Sequence, residues 1–427
     1  MTRLILAVSG GQKLQADRVT LASLRGLVGP GLLVAVGYMD PGNWATDIAG
    51  GAGFAYGLLP VVLLASLLAV GFQLLVARLT LATGEDLATL TRRHLPKPLA
   101  TASWLAGEAA ILATALAELV GGAAALRLLF GLPIAYGVGV TALGTVAVLS
   151  LAKLRQGGHE ALIHALVGLV ALSFLLLLFQ VSPDPRQVVS GMGQVGSALG
   201  DASGLMIALG ILGATLMPHN LYLHAGELAK RARAIPAAQR AVAYRFARND
   251  TVISLILAMA VNAAILIVAA TSLSGSEGVS SLDGAYAAMR DHLGFGAALI
   301  FALALYAAGQ SSAITGVMAG QVLSQGFERA HASNQQRSVL TRFAAVALAI
   351  ALITLRGSDS PDGLLVWSQV VLGVALPFAL VPLVLLVSRR DIAGQFALGP
   401  QGKLLAGGAT TVIIGLNLYL IYASLAA

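Results

Sequence analysis

The chain has 427 residues, of which 57% are hydrophobic and 11% charged, and its mean hydropathy is +0.85. A soluble domain carries about 25% charged residues, so this composition excludes a water-exposed globular protein and describes an all-α polytopic membrane protein embedded in a lipid bilayer. With no cysteine, disulfides, thiolate metal sites and thiol catalysis are excluded, and the net charge of +7 fits basic cytoplasmic loops rather than nucleic acid binding.

Leu4 to Val8 is too short for the apolar core of a cleaved signal peptide, so the first spanning segment is expected to direct insertion. Hydropathy predicts eleven spans, at 28–54, 57–81, 101–128, 133–152, 160–181, 203–228, 250–273, 294–323, 339–355, 363–388 and 404–425. The longest polar connections are 82–100, 182–202, 229–249, 274–293 and 324–338. Pro183-Asp184-Pro185 and the run from Ser358 to Gly363 read as turns.

The first span holds Asp40-Pro41-Gly42-Asn43 at mid-depth. Proline removes a backbone donor and clashes with the preceding turn, so the helix breaks there. Broken backbone at that depth must face protein or a watery cavity, and an intramembrane acid marks a functional site. The sixth span carries a second break, Met217-Pro218-His219-Asn220. A shift of 177 residues lays Pro41 on Pro218 and Asn43 on Asn220. Five spans separate the breaks, so the second half is inverted relative to the first. Matched interruptions in two halves point to a transporter's central site. The expected organisation is a cytoplasmic segment 1–27, a first inverted repeat 28–181 (spans 1–5), a second 203–388 (spans 6–10), and an eleventh span at 404–425.

The basic residues orient the chain. With a cytoplasmic N-terminus, 21 of them, from Arg3 to Lys403, fall on inside segments, and 4 (Arg127, Arg186, Arg290 and Arg356) fall outside. The expected placement is the cell (inner) membrane with the N-terminus in and, for an odd span count, the C-terminus out.

The two breaks bring together one carboxylate (Asp40), one amide (Asn43), one thioether (Met217) and one imidazole (His219). The unwound carbonyls of Gly37 and Ala214 can add hard oxygens. Oxygen alone suits Mg²⁺ or Ca²⁺, whereas sulfur moves the preference toward Mn²⁺, Fe²⁺ and later first-row ions. The alternatives are packing for Met217, a hydrogen-bonded core position for His219, and a capping role for Asn43.

These paired tetrapeptides resemble the signature of the Nramp family. Tyr38-Met39, Leu221-Tyr222-Leu223-His224, Ala117-Glu118, Ala307 to Gln321, Ser368-Gln369-Val370-Val371 and Leu376-Pro377-Phe378 extend the resemblance along the chain. It implies a LeuT-like fold with 11 transmembrane helices, a 5+5 inverted repeat and broken helices 1 and 6. It also implies proton-linked transport of divalent transition metals as substrate, with no resident cofactor. Asp40, Asn43 and Met217 would bind the metal, with Ala214 and Gly37 contributing carbonyls and Gln369 approaching on occlusion. His219 would act in coupling or gating. Glu108, Glu118 and His224 would form a proton route toward the cytoplasm, with Arg337 at its exit. The expected assembly is a monomer.

Two positions depart from the family pattern. Ala115 stands where an aspartate is usual, and Ser338 replaces the second of two adjacent basic residues. By the resemblance both positions belong to the proton exit route, so the loss of one acid and one base together puts tight proton coupling in question while the metal-site residues are kept. Alternatives are therefore a voltage-driven metal uniporter and a LeuT-like symporter of an organic substrate, although Asp40 would repel a substrate carboxylate. A passive channel is a further alternative. An intramembrane metalloenzyme finds no His-Glu-x-x-His helix to support it.

Overall fold

Pro41 and Pro218 each open a helix in the middle of the molecule, and the remaining helices pack around those two starts. The computed structural model describes residues 29–153, 158–274, 281–328, 334–356 and 361–426. The segment 1–27, with Arg3, Lys13, Arg18 and Arg25, lies outside them, as do Arg155 and Arg329. Every regular element among the described residues is helical.

In chain order, α1 (Pro30–Ala35) runs through a 3-10 turn (Val36–Met39) to α2 (Pro41–Phe54), and together they make the broken first span. Then come α3 (Leu59–Thr83), α4 (Leu87–His94), α5 (Lys97–Phe130), α6 (Ile134–Lys153) and α7 (Gly158–Val181). Short helices α8 (Pro185–Met192) and α9 (Val195–Gly200) precede the second broken span, α10 (Ala202–Thr215) and α11 (Pro218–Ala232). The remainder is α12 (Arg240–Leu273), α13 (Leu282–Leu293), α14 (Phe295–Gly326), α15 (Asn334–Arg356), α16 (Pro361–Ala375), α17 (Pro377–Ser388), α18 (Arg390–Ala393) and α19 (Pro400–Ala426).

A helix or helix pair lies over each of the eleven apolar stretches. Among the described residues, seven stretches are long and apolar enough by themselves to cross a bilayer, and Pro30–Met39, Ile134–Val148 and Phe343–Leu355 are shorter apolar helices. Leu143, Phe179, Leu355 and Tyr422 stand exposed on the outer faces, as lipid-facing side chains do.

The polar connections are more structured than their composition suggests. Asp86 accepts from the Thr89 N–H at 2.9 Å and starts α4; Asp184 accepts from the Arg186 N–H at 2.9 Å and starts α8. The tenth span, expected over 363–388, is helical throughout and kinked at Leu376, which keeps φ −59° and ψ −44° and accepts from Leu380 N at 3.0 Å. Pro377 has no N–H to offer, so one helical bond is missing between α16 and α17, while Leu376 still donates to Leu372 O at 3.0 Å.

The central helices pack closely. α12 lies along α1, α2 and α3; α5 lies against α14 and α16; α10 lies against α2. Trp44 on α2 is fully buried, 4.7 Å from the Phe174 ring of α7 and 5.5 Å from the Phe301 ring of α14. Its Nε1 donates to the Met39 carbonyl at 3.2 Å, which pins the far side of the first break.

Candidate functional site

Asp40 is the extended residue between the 3-10 turn and α2, with φ −72° and ψ 166°. Its Oδ1 accepts from the backbone N–H of Asn43 at 2.8 Å, so the carboxylate caps the half-helix that Pro41 opens. Oδ2 is buried and has no hydrogen-bond partner among the described residues. Gln369 Oε1 on α16 is in the same condition. Buried acceptors left without donors call for an explanation, and a cation supplies one.

The Asn43 side chain reaches three partners. With its nitrogen turned inward it donates to Asp40 Oδ1 at 2.7 Å and to the carbonyl of Ala214 at 3.0 Å, while its oxygen accepts from Asn262 Nδ2 at 3.1 Å. The opposite orientation would set its oxygen against two acceptors and its nitrogen against a donor, so the nitrogen-inward orientation is the one its partners satisfy.

Met217 forms the second break. α10 closes with Leu216 N donating to Leu212 O at 3.0 Å, Met217 takes φ −89° and ψ 121°, and Pro218 opens α11. Asn220 Nδ2 donates to the Met217 sulfur at 3.6 Å. The same amide lies against the other break, since a Cβ on Gly37 would fall 2.3 Å from Asn220 Nδ2. Gln369 lies over Gly42, where an added Cβ would fall 1.8 Å from its Nε2. Asp40 is 0% exposed, and Asn43, Met217 and Gln369 are 1% exposed, so the site is closed to bulk water.

Asp40, Asn43, Gly37, Ala214, Met217 and Gln369 are thus brought together. His219 is buried beside them, its Nδ1 3.3 Å from Thr114 Oγ1 on α5. His224 belongs to a separate buried chain: Gln73 Nε2 donates to the Tyr38 hydroxyl at 2.9 Å, and Gln73 Oε1 pairs with His224 Nδ1 at 2.8 Å. Glu118 accepts from Ser312 Oγ of α14 at 3.1 Å. Glu108 lies ten residues earlier on α5, where Trp104 Nε1 donates to it at 2.9 Å. Arg337 is on α15, and its side chain lies outside the described residues. Among the described residues no three His, Cys, Asp or Glu cluster, so the site rests on one carboxylate with neutral donors.

Several buried polar residues were not singled out from the sequence. Asn262 was the one amide in the apolar seventh span, a signal that was available. Asp47 lies two helical turns beyond Asp40, buried, its Oδ2 without a partner among the described residues. Asp250 holds the start of α1, accepting from Gly29 N at 3.1 Å and Gly31 N at 2.7 Å. Gln73 carried no motif.

Two broken membrane helices that meet at a buried polar point make this a LeuT-like fold. The fold is shared with MhsT, solved in complex with L-phenylalanine, at 16% identity and a TM-score of 0.57 over 92% of this chain and 98% of that one. Residues 31–423 match the family model described as natural resistance-associated macrophage protein-like. The chain is 45% identical to the divalent metal cation transporter MntH of Brucella suis over 92% of this chain and 87% of that protein. It superposes on the manganese transporter of Eremococcus coleocola with a TM-score of 0.83 and 34% identity, covering 96% of this chain and 88% of that one. The chain belongs to the Nramp family, and so to the transporters rather than the enzymes.

Proposed function

We propose that this protein imports divalent transition-metal ions, Mn²⁺ and Fe²⁺ among them, across the cell (inner) membrane by alternating access. The observation that carries the reading is the convergence of Asp40 Oδ1, the Asn43 amide and the Ala214 carbonyl at the meeting of two helix breaks, the second of which Met217 forms. The relatives named for divalent metal and manganese transport support it.

In this mechanism the ion sheds most of its water and binds Asp40, Asn43 and Met217, with the carbonyl of Ala214 or Gly37 and the amide oxygen of Gln369 completing the shell. Two carbonyl-bearing half-helix ends favour a cation there. Sulfur costs little with Mn²⁺ or Fe²⁺ and disfavours Ca²⁺ and Mg²⁺. Access alternates as the two broken spans rock against the remaining helices. The chain acts as a monomer with eleven spans in two inverted halves, N-terminus in the cytoplasm and C-terminus outside.

A proton on Asp40 competes with the metal, since a carboxylate must be deprotonated to ligate. Protons accompany the ion along a route through Glu118, Glu108, His224 and Arg337, with His219 gating beside the site. A second reading is favoured by Ala115 and Ser338, where an acid and a base of the family pattern are missing. In that reading the voltage alone drives uptake. At about 2.3 kcal/mol per charge per 100 mV, a dication gains about 4–5 kcal/mol.

The test is Mn²⁺ uptake into proteoliposomes at clamped potential with internal pH recorded. Lumenal acidification that depends on Mn²⁺ supports co-transport. Saturable uptake without a pH change supports uniport, and no uptake of any divalent metal defeats both.

A further inference from the structure

Asn262 on α12 touches both the cargo site and the first half-helix. Its Nδ2 donates to the carbonyl of Tyr38, 224 residues away in the chain, at 2.8 Å. The same nitrogen lies 3.1 Å from the Asn43 amide oxygen when Asn43 is in its hydrogen-bonded orientation, and donates there as well. Asn262 Oδ1 is buried and accepts from nothing among the described residues. A side-chain amide has two donor hydrogens and an acceptor oxygen, so half of this group's capacity is held in reserve.

A hard cation on Asp40 needs the oxygen of Asn43, not its nitrogen. Turning that amide aims its nitrogen at the nitrogen of Asn262, donor against donor. The conflict is relieved when Asn262 also turns and offers Oδ1, the atom otherwise without a partner. That turn carries Nδ2 away from Tyr38. Tyr38 belongs to the 3-10 turn between α1 and Asp40, and a buried carbonyl that loses its donor favours motion toward water or toward the ion. The opposite end of α1 stays on Asp250 through Gly29 and Gly31, so the loosening is confined to the cargo end.

We propose that Asn262 is a positioning residue that reports cargo to the first half-helix: a cation turns the Asn43 amide, which withdraws the Asn262–Tyr38 bond and frees α1. This rests on the metal-transport reading, and the experiment separates the two.

The chain contains no cysteine, and Ala35 on α1 is fully buried, so Ala35→Cys is a single-thiol reporter of α1 release; Val34→Cys is a second. Maleimide labelling is read in proteoliposomes with and without Mn²⁺, and Mn²⁺ binding is measured by calorimetry on the same proteins. In the reporter background Mn²⁺ is expected to raise labelling about fivefold or more, the low end of coupling between two sites. With Asn262→Leu or Asn262→Ala added, labelling is expected to be fast with or without Mn²⁺, in protein that elutes as one species and still binds Mn²⁺. A reporter protein that binds no Mn²⁺ ends the metal reading and the relay with it. Where Mn²⁺ binds, Asn262 variants whose labelling stays low without Mn²⁺, or still rises with it, overturn the relay alone.

Discussion

The amide nitrogen of Asn43 lies 3.0 Å from the carbonyl oxygen of Ala214. The shift of 177 residues that aligns the two breaks carries this pair onto Asn220 and Gly37, which also lie against each other. Each break thus places its asparagine on the backbone three residues before the other. Reciprocal contacts of this kind are what a pseudo-two-fold axis between inverted halves produces. On one side the contact joins the Ala214 carbonyl to the Asn43 amide; on the other Asn220 donates to the Met217 sulfur.

Asp40→Ala removes the one carboxylate of the site. Mn²⁺ uptake by this variant in proteoliposomes is expected to fall to the level of empty vesicles, while the protein still purifies as a folded species. Normal uptake would end the metal assignment.

Met217→Ala leaves the oxygen donors and removes sulfur. Mn²⁺ uptake is expected to persist in part, and discrimination against Ca²⁺ to fall by about tenfold, the equivalent of about 1.4 kcal/mol. Competition of Ca²⁺ with Mn²⁺ uptake measures it, and an unchanged ratio removes the role given to the thioether.

Lower pH is expected to weaken Mn²⁺ binding. The metal takes the deprotonated Asp40, so below the carboxyl's own pKa the apparent Kd rises about tenfold per pH unit, and above it the Kd is flat. Binding isotherms across a pH series give the slope. A flat Kd throughout would show that no proton competes at the site.

Two alanine substitutions separate positioning from packing. In Gly42→Ala the new Cβ meets the flexible end of Gln369 at 1.8 Å, whereas in Gly121→Ala it meets the Pro41 ring at 2.3 Å. The first is expected to retain thermal stability and lose transport as Gln369 is displaced. The second is expected to lose about 1–3 kcal/mol of stability, because a proline ring cannot swing aside. Thermal unfolding together with uptake distinguishes them, and equal melting losses would refute the assignment.

Glu118→Gln keeps the size of the side chain and removes its exchangeable charge. Ser312 can still donate to the new amide oxygen, so the α5–α14 contact survives. Mn²⁺ uptake is expected to continue while Mn²⁺-dependent acidification disappears. Acidification at the parental rate would take Glu118 off the proton route.

Much of the site was legible before any coordinates, and for one reason. In hydrocarbon, a proline that breaks a helix or an unneutralised acid is costly, so Asp40-Pro41-Gly42-Asn43 and Met217-Pro218-His219-Asn220 stand out against their apolar surroundings. The sequence alone determined the membrane class, the two breaks, their matched spacing and the carboxylate, amides and thioether that stand at them. The tertiary structure decided what those residues touch. Asn262, 224 residues from Tyr38, reads locally as a lone amide in a buried helix, and Gln73 reads as one more polar residue on α3. The tenth span showed Leu376-Pro377 in plain view, yet only the packed chain shows a kink there, with α16 and α17 joined through a helical Leu376. Periodicity and hydropathy report which residues enter the membrane. Which amide faces which carbonyl is set by how distant helices pack, and no local pattern encodes it.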